Sequence, residues 1–143
     1  MERDADSQSN LPRRGVNRRL GPLVAAFRYA FAGLGYLLRT QRNAQIHCLA
    51  GACAVALGVV LGIERWEWLA LVITITLVLA AEGVNTAVEA TVDLVTSARH
   101  PLAKIAKDVA AGTVLICAIG SVVVGCIIFL PYLLPLAFRL SGF

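Results

Sequence analysis

Three long apolar runs set the strongest limit on the fold of this chain. They cover about residues 46–63, 66–87 and 109–130, and each approaches the roughly 20 residues that a helix needs to cross a bilayer core. Only 15% of the 143 residues are charged and 58% are hydrophobic, whereas a soluble domain is about a quarter charged. The runs and the composition therefore predict an all-α integral membrane protein with three transmembrane helices.

The remaining segments are short and differ in character. Residues 1–20 are polar and basic, which predicts a disordered tail ahead of a membrane domain at 21–135, and residues 136–143 form a C-terminal tail. Residues 22–40 carry apolar side chains at helical spacing but also arginines and glycines. This pattern is typical of an amphipathic helix that lies in the membrane interface, so we expect one surface helix before the three spans.

The lysines and arginines predict the orientation of the chain. Of the 13 such residues, eight precede the first run and three lie between the second and third runs. In a three-span chain these two regions lie on the same side of the membrane, and cytoplasmic loops carry an excess of positive residues. We therefore expect a multi-pass protein with its N-terminus in the cytoplasm.

The second apolar run continues into a helical segment with four polar side chains, which are Glu82, Asn85, Glu89 and Asp93. At helical geometry they fall within about 80° of one another, on a single face. Ionisable groups near hydrocarbon are costly and normally face a bundle interior or a wet cavity. A helix end that merely projects into water would explain Asp93 but not Glu82, which is embedded in apolar sequence. The face, called the polar stripe below, is therefore predicted to be a functional site.

The start of the third helix adds charged side chains near one end of the stripe. Counted outward from the turn between the two helices, Glu89 comes to a depth similar to that of Lys107 and Asp108. The same count predicts that Asp93 lies opposite Lys104. Carboxylates that hold Mg²⁺ and lysines that bind phosphate are the components of a phosphoryl-transfer site.

Depth separates two roles along the stripe. Glu82 lies seven residues before Glu89, hence roughly 10 Å deeper along the helix, near the level expected of a lipid hydroxyl. We therefore predict a base at the lipid and a layer of metal and nucleotide ligands at the water.

Three tracts resemble the prokaryotic diacylglycerol kinase family, which includes undecaprenol kinases. They are RTQRNAQIH (39–47), EGVNTAVEATVD (82–93) and HPLAKIAKDVAAGTVLI (100–116), and the resemblance covers about residues 25–130. It implies an enzyme that uses ATP and Mg²⁺ to phosphorylate a membrane lipid alcohol, as a homotrimer in the bacterial inner membrane. The tracts look closer to the undecaprenol-kinase branch, so undecaprenol is favoured over diacylglycerol. No nucleic-acid partner is expected.

The resemblance also implies roles for individual residues. Glu82 would be the catalytic base and would contact the lipid, whose path Gly33 and Ala111 would line. Glu89 would hold Mg²⁺ and contact the nucleotide. The family typically has a second metal-binding glutamate where this chain has Gln41, which would serve in its place. The other positions expected to contact or support the nucleotide are Tyr29, Asn85, Ala98, Arg99, His100, Lys107 and Asp108.

Two non-enzymatic functions remain open at this point. The stripe could be part of an ion path, although its acids cluster at one membrane face instead of lining a whole passage. Gln41 could instead mark a degenerate kinase fold that serves as an assembly partner, since an amide ligates Mg²⁺ without bringing charge. His47, at the start of a span, is interpreted as an interfacial residue and not as a ligand.

Overall fold

The chain is helical throughout the part that the structure describes. The computed structural model describes residues 17–96 and 98–140, which contain four helices and no strand. The helices, numbered in chain order, are α1 (Asn17–Thr40), α2 (Arg42–Leu61), α3 (Arg65–Val95) and α4 (Pro101–Leu140). Each contains a stretch that is long and apolar enough to cross a membrane, and α1 is the least apolar of the four. The all-α membrane architecture is confirmed, and four helices, not three, have the length and composition of a span.

The chain groups into two compact units, Met1–Gly35 and Tyr36–Phe143. In the first unit α1 begins at Asn17, inside the stretch 1–20 for which the sequence predicts a disordered tail. Residues 1–16 of that predicted tail lie outside the described residues. The large apolar side chains of this unit are exposed, so its described part is a single helix with no hydrophobic core of its own.

The second unit opens with a tight hairpin between α2 and α3. Gly62 has φ 67°, a left-handed conformation that glycine adopts without the steric cost of a Cβ atom. The backbone N–H groups of Gly62 and Ile63 both donate to the carbonyl of Gly58, at 3.0 and 3.2 Å. The next residue, Glu64, caps α3 together with Glu67, each side chain accepting a hydrogen bond from the other residue's backbone.

Small residues set the contact between α2 and α3. A Cβ atom added to Gly51 would lie 3.2 Å from the side chain of Ile75, and one added to Gly58 would lie 3.1 Å from the ring of Trp68. The two helices therefore approach closely and pair antiparallel in a fixed register. In this register, a residue one position closer to the start of α2 lies opposite a residue one position closer to the end of α3.

The hydrophobic core lies near this hairpin and also involves α4. Ile63 and Leu71 pack with Ile128 and Phe129, all of them at most 9% exposed. Most other apolar side chains face outwards, as expected for helices whose outer surface meets lipid or other protein chains.

Helix α4 extends beyond the span predicted for it. It continues past residue 130 to Leu140, through Pro131 and Pro135, and so enters the segment 136–143 that the sequence assigns to a tail. Residues 141–143 lie outside the described residues. Proline is tolerated inside membrane helices because neighbouring helices, hydroxyl side chains and ordered waters satisfy the carbonyls that it frees.

Candidate active site

The polar stripe lies entirely on α3, and its burial decreases steadily along the helix. Glu82 is 2% exposed and Asn85 is 6% exposed, Glu89 is half-buried, and Asp93 is exposed. The stripe thus runs from the interior of the helix bundle at Glu82 to the surface near the α3–α4 connection.

Neighbouring segments of the second unit enclose the inner end of the stripe. Ala44 on α2 is fully buried, and the α2–α3 register brings it opposite Glu82. A Cβ atom on Gly83 would meet only the tip of Leu37, at 3.9 Å, and Leu37 is itself buried. Because Ala44 and Gly83 have small side chains or none, the neighbouring helices pack closely around the carboxyl group of Glu82.

Two oxygen atoms of the stripe have no hydrogen-bond donor among the described residues. Asn85 donates from Nδ2 to Oε1 of Glu89 at 3.1 Å, which orients both side chains. Glu82 Oε2 and Asn85 Oδ1 are buried and have no partner among the described residues. A buried polar atom without a partner costs about 1–3 kcal/mol, so such atoms are rare and require an explanation such as a ligand. These two oxygen atoms are therefore candidate acceptors for a ligand.

The charged side chains at the other end of the stripe pair differently from the sequence prediction. Lys107 Nζ lies 2.5 Å from Oδ1 of Asp93, and Lys104 pairs with Asp108 one turn away on the same helix. The prediction that Asp93 faces Lys104 is therefore wrong. The cause is the rotation of α4 about its own axis. The Lys107 side chain is 36% exposed and lies on the face of α4 that contacts α3. The Lys104 side chain is 77% exposed and pairs with Asp108 of its own helix.

A cavity of about 660 Å³ lies beside these ion pairs, where α3 connects to α4. Its volume is in the range of small-molecule binding sites. Five predicted nucleotide-binding positions line it, and these are Ala98, Arg99, His100, Lys107 and Asp108. The structure therefore brings these five positions together around one space.

The wall of this cavity is built by local hydrogen bonds. Thr96 Oγ1 accepts a hydrogen bond from the backbone N–H of Ala98 at 3.2 Å, which shapes the connection after α3. His100 Nδ1 accepts one from the backbone N–H of Leu102 at 3.2 Å and so caps the start of α4. The first bond thus lies within the connection, and the second satisfies a backbone N–H in the first turn of α4.

Gln41 lies between α1 and α2, in the N-cap position of α2. It is half-buried, and its side-chain amide donates to Thr40 Oγ1 at 3.4 Å. Within residues 17–96 and 98–140 no three His, Cys, Asp or Glu side chains come together as a metal site would need. The predicted metal ligands thus form no ready-made acidic cluster.

The remaining predicted positions are exposed. Ala111 lies on α4 beyond Asp108. Tyr29 and Gly33 belong to the first unit, in which the guanidinium of Arg28 lies 5.3 Å from the centre of the Tyr29 ring.

His47 is interpreted from the sequence as an interfacial residue, and its place near the stripe becomes apparent only from the helix packing. His47 is half-buried, and the α2–α3 register places it opposite Leu79, one helical turn from Glu82. The signal lay in the length of the α2–α3 hairpin, which brings the start of α2 to the depth of Glu82.

Comparison with known proteins identifies the family. A profile described as prokaryotic diacylglycerol kinase matches residues 28–129, most of the chain. The chain belongs to the prokaryotic diacylglycerol kinase family. The resemblance stated from the sequence, and the lipid-kinase class that it implied, are thereby confirmed.

Individual relatives carry two kinase names. A diacylglycerol kinase of Synechocystis sp. is 46% identical over 115 residues, which cover 80% of this chain and 66% of the relative. An undecaprenol kinase of Bacillus subtilis is 44% identical over 115 residues, covering 80% of this chain and 93% of the relative. A diacylglycerol kinase of Haemophilus influenzae is 29% identical over 109 residues, which cover 75% of this chain and 92% of the relative.

Proposed function

We propose that this protein transfers the γ-phosphoryl group of ATP to the hydroxyl group of a membrane lipid. The observation that carries the proposal is the buried carboxyl group of Glu82, whose Oε2 lacks a partner among the described residues. It lies on the same helix as a half-buried second carboxylate, Glu89, and that helix leads to a cavity with lysine and arginine in its wall.

Glu82 is proposed as the general base. It would take the proton of the lipid hydroxyl as that oxygen attacks the γ-phosphorus, and ADP would leave. A site enclosed by apolar side chains suits this step because it receives a lipid alcohol and excludes water, which would otherwise compete as the acceptor.

The oxygen atoms of Glu89 and Asn85 fit a bound Mg²⁺. A carboxylate and an amide carbonyl are hard oxygen donors of the kind that Mg²⁺ prefers, and Asn85 Oδ1 has no other partner among the described residues. Gln41 would add a neutral oxygen ligand. Magnesium, when bound, would neutralise charge on the phosphates, while the hydrogen bond between Asn85 and Glu89 orients both ligands.

The cavity at the α3–α4 connection is proposed to hold the nucleotide. Lys107 would exchange Asp93 for a phosphate oxygen, and Arg99 lies in the same wall. Charge-assisted bonds from lysine and arginine to phosphate are short and strong, which suits them to orient the transferred group.

Undecaprenol is the favoured acceptor. The tracts RNAQIH and HPLAKIAKD support this choice, as does the Bacillus subtilis relative, 93% of which this chain covers. Diacylglycerol remains the alternative acceptor, and the relative from Synechocystis sp. bears that name.

We further propose a homotrimer in the inner membrane, with the N-terminus in the cytoplasm, three spans and α1 at the interface. The excess of lysine and arginine on one side supports the orientation. The lower hydropathy of α1 relative to the other helices supports its place at the surface. The active site would then open towards cytoplasmic ATP.

The test is transfer of radiolabelled γ-phosphate by the purified full-length chain to undecaprenol and to diacylglycerol. Glu82→Ala should abolish turnover while Mg-ATP binding largely persists, whereas Glu89→Ala should weaken Mg-ATP binding itself. Val84→Ala, an exposed position between them, is the matched control and should keep both. Absence of transfer to either lipid by intact protein would reject the enzymatic function, and equal Mg-ATP binding by both glutamate variants would reject the assigned roles.

A further inference from the structure

A second cavity lies between α2, α3 and α4, away from the nucleotide cavity. Its volume is about 180 Å³, and most of its lining is apolar. His47 lines it from α2, and the hydroxyl-bearing Thr74 and Ser121 line it from α3 and α4. Both hydroxyls donate to backbone carbonyls of their own helices, at 2.7 Å each. His47 is therefore the titratable side chain in the lining of this cavity.

The register of the α2–α3 hairpin brings His47 close to Glu82. Because Gly51 meets Ile75 and Gly58 meets Trp68, the same register places His47 opposite Leu79, one helical turn from Glu82. One turn is about 5.4 Å along the axis. His47 and Glu82 therefore lie at similar depths, about one helical turn apart along the axis.

The proposed reaction requires a group near Glu82 that can take up the proton which Glu82 receives. After each transfer Glu82 holds a proton taken from the lipid, and this side chain is only 2% exposed. Glu89 already accepts a hydrogen bond from Asn85 and faces the phosphates in the proposed arrangement. The half-buried imidazole of His47 lines the adjoining cavity and carries a ring nitrogen that can accept a proton.

We propose that His47 receives the proton from Glu82 after each turnover and passes it to water. In the reaction the lipid O–H bond breaks, its proton goes to Glu82, a new O–P bond forms, and ADP departs. The Glu82 proton then moves to the imidazole, directly or through one water molecule in the adjoining cavity, which restores the carboxylate. His47 acts through Glu82 as a positioning residue and does not contact the lipid. This inference rests on the proposed kinase function.

The experiment measures steady-state phosphate transfer by full-length His47→Gln and His47→Ala. We expect kcat to fall about 100-fold in both, with the KM values for Mg-ATP and lipid changed less than about twofold. Added imidazole should raise the kcat of His47→Ala at least tenfold. It should not raise the kcat of Glu82→Ala, because that variant lacks the base. Ser121→Ala, which alters the same cavity without removing a proton acceptor, is the matched control and should retain kcat.

Other outcomes overturn the inference. A kcat within about threefold of the wild type in His47→Gln would exclude a role in the reaction, since loss of a proton-transfer group costs far more. A fall in kcat that imidazole does not relieve would assign His47 a purely structural part. A wild-type chain that transfers no phosphate would reject the kinase function itself, whereas active wild type with unaffected His47 variants rejects the proton route alone. His47→Gln keeps a side chain of similar size, so the comparison holds if His47→Ala does not fold.

Discussion

The hydroxyl group of Tyr132 links α4 to the start of α3 by a hydrogen bond. Tyr132→Phe removes this hydroxyl and keeps the aromatic ring. This hydroxyl donates to Oε2 of Glu67 at 2.7 Å, and Glu67 is 5% exposed. The same oxygen accepts a second hydrogen bond, from the backbone N–H of Glu64 at 2.7 Å. The substitution therefore leaves the buried carboxylate with one donor where it had two.

These contacts set the size of the expected effect. A hydrogen bond to a charged group contributes about 1.5–3 kcal/mol in soluble proteins, while side-chain bonds between membrane helices average about 0.6 kcal/mol. Because Glu67 is buried but keeps its backbone donor, we expect a loss of about 1–1.5 kcal/mol in the free energy of unfolding. For a chain of 143 residues this lowers Tm by about 3–5 °C.

Thermal unfolding of the full-length chain in detergent micelles measures this loss. Tyr36→Phe, which removes the hydroxyl of an exposed ring, is the matched control and should change Tm by less than about 1 °C. In the background of Glu67→Gln, the added Tyr132→Phe substitution should have a smaller effect than in the wild type. A fall in Tm no larger than that of the control would refute the reasoning.

Three further predictions concern the site and the helix packing. Lys107→Met should raise the KM for Mg-ATP about tenfold or more in transfer assays. Lys104→Met should raise it less than about threefold, because Lys104 lines the same cavity but is more exposed and pairs within α4, whereas Lys107 pairs across to α3. Gln41→Glu should lower the Mg²⁺ concentration for half-maximal activity several-fold, since a charged oxygen replaces a neutral one; an unchanged requirement would remove Gln41 from the metal site. Gly58→Leu should destabilise the chain by about 1–3 kcal/mol in thermal unfolding, because a Cβ atom added at this position would lie only 3.1 Å from the indole ring of Trp68. Val59→Leu, at an exposed neighbouring position, should be nearly neutral.

Much of the site could be predicted from the sequence because it lies along single helices. The spacing of Glu82, Asn85 and Glu89 determines that they share a face of α3, whatever the helix packs against. The residues at 98–108 are close in sequence, so a short connection necessarily gathers most of them around one cavity. The motifs in these two stretches also sufficed to indicate the family.

The contacts between helices could not be predicted in the same way. The partner of Asp93 depends on how α4 is rotated about its axis, and the sequence alone suggested Lys104 where the structure has Lys107. The link between Glu67 and Tyr132 joins residues 65 positions apart and has no local signal.

The sequence by itself determined that this is a helical membrane protein with a polar stripe on one helix, because periodicity and hydropathy act within each segment. The tertiary structure decided which part of that stripe is buried and what lies beside it. Close contacts at Gly51 and Gly58 fix the axial position of α2 against α3, and that register places His47 opposite Leu79, one helical turn from Glu82. Axial register and helix rotation arise from packing between segments, which no single segment encodes.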